Sequence, residues 1–244
     1  MPRTLFALAI LVVATLCLGL PAILISLLRP SGDSTMRAGR LWSRIMLWAI
    51  GARVRYVGLQ HVDSHLPCIF IANHQSSVDI WALVRILPLP TRFVAKQSLF
   101  RIPVLGWAMA AGGFISIDRA NRSKAIRSLE FAAERIRAGR PVVLFAEGTR
   151  SRHGGLQPFK KGPFHLALAA RVPLVPVAIS GSWKVLRPGS ARARPGPVRV
   201  EFLPPLEVTE FLPDDHDRLL REVHGRLERA LRAVSDPPRS GPEE

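Results

Sequence analysis

Hydrophobic positions divide the chain into two unlike regions, and the first is an uncharged apolar run from Leu5 to Leu28. A helix of this length can span the hydrocarbon core of a bilayer. Gly19 and Pro21 lie inside the run, so a kinked helix, or a segment that enters one leaflet and turns back, fits as well as a straight span. A cleaved signal peptide is disfavoured, because the run exceeds the usual apolar core of such peptides and no A-x-A site follows.

The next segment, residues 35–52, has helical periodicity with a basic face and an apolar face. The basic residues are Arg37, Arg40 and Arg44, and the apolar ones are Trp42, Ile45, Trp48 and Ala49. Such a pattern is typical of a helix on a membrane surface, although a helix packed on a core with one solvated side fits the pattern equally well. Because this segment follows the apolar run directly, we interpret residues 1–52 as a two-helix membrane anchor with its arginines on the cytoplasmic side.

From residue 53 the pattern changes to short β-branched runs that alternate with helical stretches. The predicted strands are RVRYVG, CIFIA, TRFVA, FISI, VVLFA, LVPVAI and VRVEFL, and the predicted helices cover residues 77–87, 122–138, 163–170 and 214–234. This alternation predicts an α/β domain over residues 53–234, with a mixed, mostly parallel sheet flanked by helices. Strands that lack polar alternation are buried on both faces. The tail, residues 235–244, is predicted to be disordered.

Composition adds a large positive charge to this apolar chain. The 244 residues carry 34 Lys+Arg against 18 Asp+Glu, while 48% are hydrophobic, and the two features together favour an anionic membrane surface as partner. Nucleic acid is disfavoured, because aromatic residues are only 7%, the basic residues are dispersed and a long apolar N-terminus has no use there. Neither the two cysteines nor the seven histidines have metal-ligand spacing, so we expect no disulfide framework and no metal centre.

The sequence NHQSSVD, residues 73–79, permits two interpretations. Ser76 followed three residues later by Asp79 is a capping-box pattern, which satisfies N–H groups in the first turn of a helix. Alternatively, Asp79 reaches back to His74 and fixes its tautomer, so that the far ring nitrogen can accept a proton. The stretch by itself slightly favours the cap.

Three polar motifs follow directly on apolar strands, where ligands collect in α/β sheets. NHQSSVD follows CIFIA, DRANR follows FISI, and EGTRS follows VVLFA. Each motif has a composition that ordinary turns also use. Together they bring chemically useful side chains to one sheet edge: His74, Asp79, Asp118, Arg119, Glu147 and Arg150.

Four segments of the chain, in the same order, are similar to the conserved motifs of one protein family. NHQSSVD is similar to an NHxSxxD motif, FAEGTRS to an FPEGTRS block, KQSLFRIPVLGWAMAAGGFISIDR to the segment between them, and VPLVPVAI to a last block. From Arg53 to Ile179 the chain therefore resembles the glycerolipid acyltransferases, above all the bacterial 1-acyl-sn-glycerol-3-phosphate acyltransferases. Ala146 departs from the proline usual before Glu147, which we expect to loosen the loop slightly.

The resemblance implies an enzyme that moves a fatty acyl group from acyl-CoA or acyl carrier protein to the free hydroxyl of 1-acyl-sn-glycerol 3-phosphate, giving phosphatidic acid. It implies no bound cofactor, and a place in the bacterial inner membrane with the catalytic domain on the cytoplasmic side. His74 is then the general base and Asp79 its orienting partner. The attack is direct, so Ser76 and Ser77 are not nucleophiles.

The acceptor's phosphate calls for guanidinium or ammonium donors. By resemblance Arg150 is the first choice, with Lys96 and Arg119 next. Glu147 is expected to hold Arg150, and Gly148 and Thr149 complete the loop. Without the other blocks, Glu147 and Arg150 would read as a surface pair. Two rival functions remain open: acylation of another lysolipid, such as a lyso-ornithine lipid or lysophosphatidylglycerol, and a non-catalytic module that binds anionic lipid.

Overall fold

The computed structural model describes residues 2–29, 31–63, 66–88, 91–118 and 122–235. Seven strands form one sheet: β1 (Ala52–Val57), β2 (Ile69–Ala72), β3 (Arg92–Lys96), β4 (Ile115–Ile117), β5 (Val142–Phe145), β6 (Leu174–Ser180) and β7 (Gly196–Phe202). Their order across the sheet is β1-β7-β6-β2-β5-β3-β4. The pairs among β2 to β6 are parallel, β7 is antiparallel to β6, and β1 is parallel to β7. The sheet is therefore mixed and mostly parallel, as the sequence predicts.

Eight α-helices lie in the described part of the chain. They are α1 (Pro2–Leu28), α2 (Asp33–Ile50), α3 (Ser77–Ile86), α4 (Leu105–Ala111), α5 (Arg122–Arg137), α6 (Gly162–Ala170), α7 (Ser182–Val185) and α8 (His216–Ser235). All the predicted helices and strands are present. The sequence did not predict α4 and α7, because a run of small and apolar residues and a single turn both lack a periodic pattern. Of the predicted disordered tail, residues 235–244, Ser235 is instead the last residue of α8, and the remainder lies outside the described residues.

Apolar side chains cover both faces of the sheet. In β2 all four residues are buried, with Ile69 and Ile71 in the cluster under α5, α6 and α8, and Phe70 and Ala72 in the cluster under α2 and α3. Burial on both faces explains why the central strands are continuously apolar. As a consequence, polar side chains can gather only where these strands end.

The helices α1 and α2 form an antiparallel hairpin. The rings of Phe6 and Trp48 meet edge to face, the Trp42 indole donates to Thr15 Oγ1 over 3.0 Å, and the hydroxyls of Ser26 and Ser34 lie 2.7 Å apart. Among the described residues, one helix, Thr4–Leu28, is long and apolar enough to cross a membrane. It exposes apolar side chains along most of its length.

The structure of α2 matches the interpretation of a helix packed on a core with one solvated side. Arg37, Arg44 and Trp48 are exposed on this helix, whereas Met36 and Leu47 are buried in the same cluster as the strands. The helix therefore packs on the α/β core and keeps a basic solvated side. Whether residues 1–52 act as a membrane anchor stays a prediction.

The buried side chain of Arg92, in β3, fixes the connection between the two hairpin helices. Its Nη2 atom donates to the Ser31 carbonyl over 2.9 Å and to Asp33 Oδ1 over 3.3 Å. A buried guanidinium needs such partners, because an unpaired one would carry a large desolvation cost. The hairpin is therefore held against the sheet at the edge where β3 begins.

Candidate active site

The turn between β2 and α3 holds His74 and Asp79 together. Asp79 Oδ2 lies 2.9 Å from His74 Nδ1 and also accepts the backbone N–H groups of Gln75 and Ser76, over 2.6 and 2.8 Å. Ser76 Oγ in turn accepts the N–H of Val78 over 3.2 Å. The capping box and the His–Asp pair therefore both exist, and the same carboxylate serves both.

Two neighbouring segments fix the position of His74. Its ring stacks on Phe145, with centroids 3.9 Å apart. Its backbone N–H donates to Glu147 Oε1 over 3.1 Å, and its carbonyl accepts the N–H of Ser151 over 2.8 Å. Since a carboxylate can only accept, Asp79 keeps the proton on Nδ1 and leaves Nε2 as the basic nitrogen.

His74 lines a cavity of about 550 Å³ that lies between the helical hairpin and the α/β domain. This volume is within the usual range for small-molecule sites. Most of the wall is apolar and comes from α1, α2, α3 and α4, with side chains such as Leu11, Leu18, Met36, Trp42, Trp81, Leu105 and Met109. The cavity therefore combines a histidine with space for an aliphatic chain.

Polar and charged groups line the same cavity. Lys96, Thr149 and Arg150 are exposed and contribute to its wall, together with Ser77. Arg150 Nη1 donates to Ser77 Oγ over 2.9 Å. The structure thus brings His74 together with three of the residues selected from the sequence, whereas Arg119 lies outside the described residues.

Glu147 does not pair with Arg150, either as its support or as a surface pair. Its carboxyl is buried and accepts the His74 N–H, while the Arg150 guanidinium is turned to Ser77. Burial raises the pKa of the Glu147 carboxyl to about 7, against the opposing effect of backbone N–H groups of His74 and Gln157. The expected role is therefore corrected: Glu147 supports the backbone of the histidine.

The loop after β5 is tightly held. Gly148 has a φ of 71°, a conformation that glycine adopts without strain. The Ala146 N–H donates to the Ala72 carbonyl over 3.1 Å, and its carbonyl accepts the Lys160 N–H over 2.8 Å. Proline has no N–H to give the first of these bonds. Alanine therefore gives this loop a backbone hydrogen bond that proline could not make, and the expected loosening stays a prediction.

Sequence reasoning missed three contributors near the histidine: Asn73, Ser77 and Phe145. The Asn73 amide exchanges two hydrogen bonds with the backbone of Ile179, over 2.7 and 2.9 Å, and so ties the end of β2 to β6. All three belong to the NHQSSVD or FAEGTRS block, so their sequence positions already indicated that they lie beside the histidine. The apolar walls from α1 and α4 had no comparable signal.

A family model described as acyltransferase matches residues 53–180, which contain every one of these site residues. The chain belongs to the acyltransferase family. The resemblance seen in the four sequence blocks is thus confirmed, and this acyltransferase is an enzyme of lipid metabolism.

Curated relatives extend the similarity beyond the matched domain. A 1-acyl-sn-glycerol-3-phosphate acyltransferase of Limnanthes douglasii is 34% identical over 216 residues, covering 86% of this chain and 76% of the relative. The human 1-acyl-sn-glycerol-3-phosphate acyltransferase alpha is 32% identical over 227 residues, covering 93% of this chain and 80% of the relative. The aligned regions therefore include most of each protein.

A solved structure shares the whole fold. The crystal structure of the 1-acyl-sn-glycerophosphate (LPA) acyltransferase PlsC from Thermotoga maritima superimposes with a TM-score of 0.84 and 23% sequence identity, covering 99% of this chain and 97% of that one. The match includes the N-terminal helices as well as the α/β domain.

Proposed function

We propose that this acyltransferase transfers a fatty acyl group from acyl-CoA or acyl carrier protein to the free hydroxyl of 1-acyl-sn-glycerol 3-phosphate, giving phosphatidic acid. The observation that carries the proposal is the His74–Asp79 pair at a cavity whose wall includes two cations, Lys96 and Arg150, and is otherwise mostly apolar. The names of the relatives support this acceptor.

In the proposed reaction His74 Nε2 accepts the proton of the attacking hydroxyl, while Asp79 holds the Nδ1–H side of the ring. The hydroxyl oxygen bonds to the thioester carbonyl carbon, and the C–S bond then breaks. The leaving thiolate takes the proton from His74, so the base is restored without an acyl-enzyme. General-base catalysis of this kind contributes about a hundredfold to ten-thousandfold in rate.

Arg150 and Lys96 are proposed to bind the acceptor's phosphate, because both cations line the cavity beside the base. Arg119 is proposed as a third cation from the family resemblance. Gly148 and Thr149 shape the backbone at this point, and Glu147 holds the histidine from behind. The acyl chain of the donor is proposed to occupy the apolar part of the cavity.

The membrane setting completes the proposal. Residues 1–52 are proposed to hold the enzyme on the bacterial inner membrane, with residues 53–234 on the cytoplasmic side. The exposed apolar side chains of α1 and the exposed arginines Arg37 and Arg44 of α2 support this arrangement.

Arg150 provides the test of the acceptor. A guanidinium can give a phosphate two parallel hydrogen bonds that a single ammonium cannot reproduce. Arg150→Lys should therefore keep part of the activity on lysophosphatidic acid, and Arg150→Ala should lose about a hundredfold or more in kcat/KM. On monoacylglycerol, which has no phosphate, the same variants should change kcat/KM by less than about threefold.

The matched control is Arg137→Ala, an exposed arginine on α5, on the opposite face of the sheet. It should leave kcat/KM unchanged on both acceptors. An equal fractional loss on lysophosphatidic acid and monoacylglycerol for Arg150→Ala would mean that Arg150 supports the loop, and the phosphate assignment would be wrong. Mass spectrometry of products from a lysolipid panel identifies any better acceptor.

A further inference from the structure

Residues 148–200 contain no aspartate or glutamate, although arginines and lysines recur throughout them. We define the basic patch as Arg152, Lys184, Arg187, Arg192 and Arg194. All five side chains are exposed. Within the described chain none of them forms an ion pair with a carboxylate, unlike the exposed arginines Arg218 and Arg232 of α8, which pair with Asp215 and Glu228. Their positive charge is therefore not cancelled locally.

Topology places the basic patch at the same sheet edge as His74. The strands β2 and β6 are parallel, so α7, which follows β6, begins at the edge where β2 ends. The loop that carries Arg192 and Arg194 leads into β7, which runs antiparallel to β6 and so starts at this same edge. The patch and the catalytic turn are therefore neighbours in the fold.

Hydrogen bonds fix the segments of the patch to the two residues after His74. Gln75 Nε2 donates to the Gly154 carbonyl, and Ser76 Oγ donates to the Leu186 carbonyl, each over 2.6 Å. The Trp183 indole donates to the Arg152 carbonyl over 3.0 Å and so links the two segments. The cations therefore stand in a fixed relation to the base.

An anionic bilayer is a poor match for this surface. A membrane-bound face combines cations with exposed apolar side chains, and in the described part of this chain such side chains are most concentrated on α1. The fully described segment 148–200 exposes no large hydrophobic residue. A water-soluble anionic partner fits a surface that is charged but not apolar.

The patch also lies outside the cavity, since none of its five residues contributes to the cavity wall. A partner seated on it must therefore reach His74 through an extended arm that carries the acyl thioester. The five cations come from three separate stretches of chain and are all exposed, so they do not form the buried guanidinium fork that would hold a single phosphate most specifically. Dispersed exposed charges of this kind steer and orient a folded protein of opposite charge.

We propose that the basic patch is the docking surface for an acidic acyl carrier protein, which presents its acyl thioester to His74. This inference rests on the proposed function, because it assumes that acyl transfer takes place at His74. It assigns the donor class, which the catalytic residues themselves leave open.

The test uses the full chain in nanodiscs of zwitterionic lipid, with lysophosphatidic acid as acceptor. The patch variant is Arg187→Gln, Arg192→Gln and Arg194→Gln combined. The control variant is Arg137→Gln, Arg221→Gln and Arg229→Gln, which removes the same charge from α5 and α8 on the opposite sheet face. We measure kcat/KM with palmitoyl carrier protein and with palmitoyl-CoA.

The patch variant should lose about tenfold or more in kcat/KM with the carrier protein and less than about twofold with CoA, and the control variant should lose less than about twofold with either. An equal loss with both donors would overturn the inference, as would a wild-type enzyme that uses palmitoyl-CoA but not the carrier protein. Loss of binding to phosphatidylglycerol vesicles, with an unchanged donor ratio, would assign the patch to the membrane instead.

A binding measurement separates this inference from the proposed function. Fluorescence anisotropy of labelled holo carrier protein on the same nanodiscs should show weaker binding to the patch variant than to the control, whatever acceptor is used. If no product forms from lysophosphatidic acid with either donor, the proposed function fails, and the anisotropy result still decides whether the patch binds the carrier. Equal binding to the patch and control variants would overturn the docking surface.

Discussion

At the scale of single residues, one carboxylate has two roles. Asp79 Oδ2 accepts the backbone N–H groups of the α3 cap and also lies on His74 Nδ1. The sequence presented these roles as alternatives, but a cap in the first helical turn and a histidine just outside it can share one oxygen. A variant of Asp79 therefore changes stability and catalysis together, and a second residue is needed to separate them.

Ser76 provides that separation, because its hydroxyl caps α3 and donates to the Leu186 carbonyl without contacting the histidine ring. Ser76→Ala should cost about 1 kcal/mol of stability and keep kcat/KM within about threefold of wild type. Asp79→Asn should lower stability by a similar amount and reduce kcat/KM by about a hundredfold or more. Both are measured as thermal unfolding in detergent and as turnover of lysophosphatidic acid. If Ser76→Ala lost as much activity as Asp79→Asn, the cap would explain the loss and the orienting role would fail.

Glu147 predicts a pH dependence of stability. Burial raises the pKa of its carboxyl from 4.5 to about 7 in the folded protein. Between these values the folded chain binds more protons than the unfolded chain, so its stability falls as pH rises across the window, by at most about 3 kcal/mol. Glu147→Gln should remove this fall, as measured by urea unfolding in detergent between about pH 4 and pH 8.

The control for this pH effect is Glu134→Gln, an exposed carboxylate on α5. Its unfolding free energy should follow the wild-type pH dependence. If the unfolding free energy of Glu147→Gln fell with pH as steeply as that of wild type, groups other than the buried carboxyl would cause the pH dependence.

At the scale of helices and strands, patterns predicted what depends on local sequence. The strands were recognisable because burial on both faces makes β2, β5 and β6 continuously apolar. By contrast, α4 and its contact with the hairpin depend on tertiary packing that no periodic pattern records. For α2 the pattern fitted two environments, and the structure shows a helix with one side packed on the core and the other solvated, whereas its contact with a membrane stays a prediction.

The exposed apolar side of α1 is the proposed membrane-binding surface, and this proposal can be tested by substitution. Four residues at helical spacing are exposed on it: Val12, Leu16, Leu20 and Leu24. Each side chain contributes roughly 1 kcal/mol to the free energy of membrane binding when lipid covers its exposed half. Replacing all four by glutamine should weaken partitioning into liposomes more than about a hundredfold, measured by flotation, and leave the Arg92 contact to the hairpin intact.

A matched control replaces three exposed leucines of the α/β domain by glutamine: Leu59, Leu66 and Leu212. These substitutions should leave flotation with liposomes unchanged. Equal release of the two variants would mean that the membrane-binding surface is not on α1.

At the scale of the whole molecule, the cavity exists only because distant parts of the chain meet. Its base comes from the turn after β2, its cations from the ends of β3 and β5, and its apolar wall from the hairpin and α4. The four sequence blocks predicted the polar end, whereas the depth of the apolar end depends on how α2 packs. Gly39 lies on this helix and lines the cavity, so a larger side chain there shortens the space available to an acyl chain.

Gly39→Leu should therefore shift the enzyme toward shorter acyl donors. A Cβ at this position would lie 3.5 Å from Val84 Cγ1, an ordinary contact, so the added side chain can point into the cavity without displacing the backbone. Excluding two methylenes of the chain, at about 0.8 kcal/mol each, should lower the palmitoyl-to-octanoyl ratio of kcat/KM about tenfold. Gly155→Leu, in a loop with nothing within 4 Å of the new Cβ, should leave that ratio unchanged. If Gly39→Leu lowered kcat/KM equally for the palmitoyl and octanoyl donors, the acyl chain of the donor would lie outside this cavity. A side chain that fills the space occupied by the acyl chain must disfavour the longer chain more.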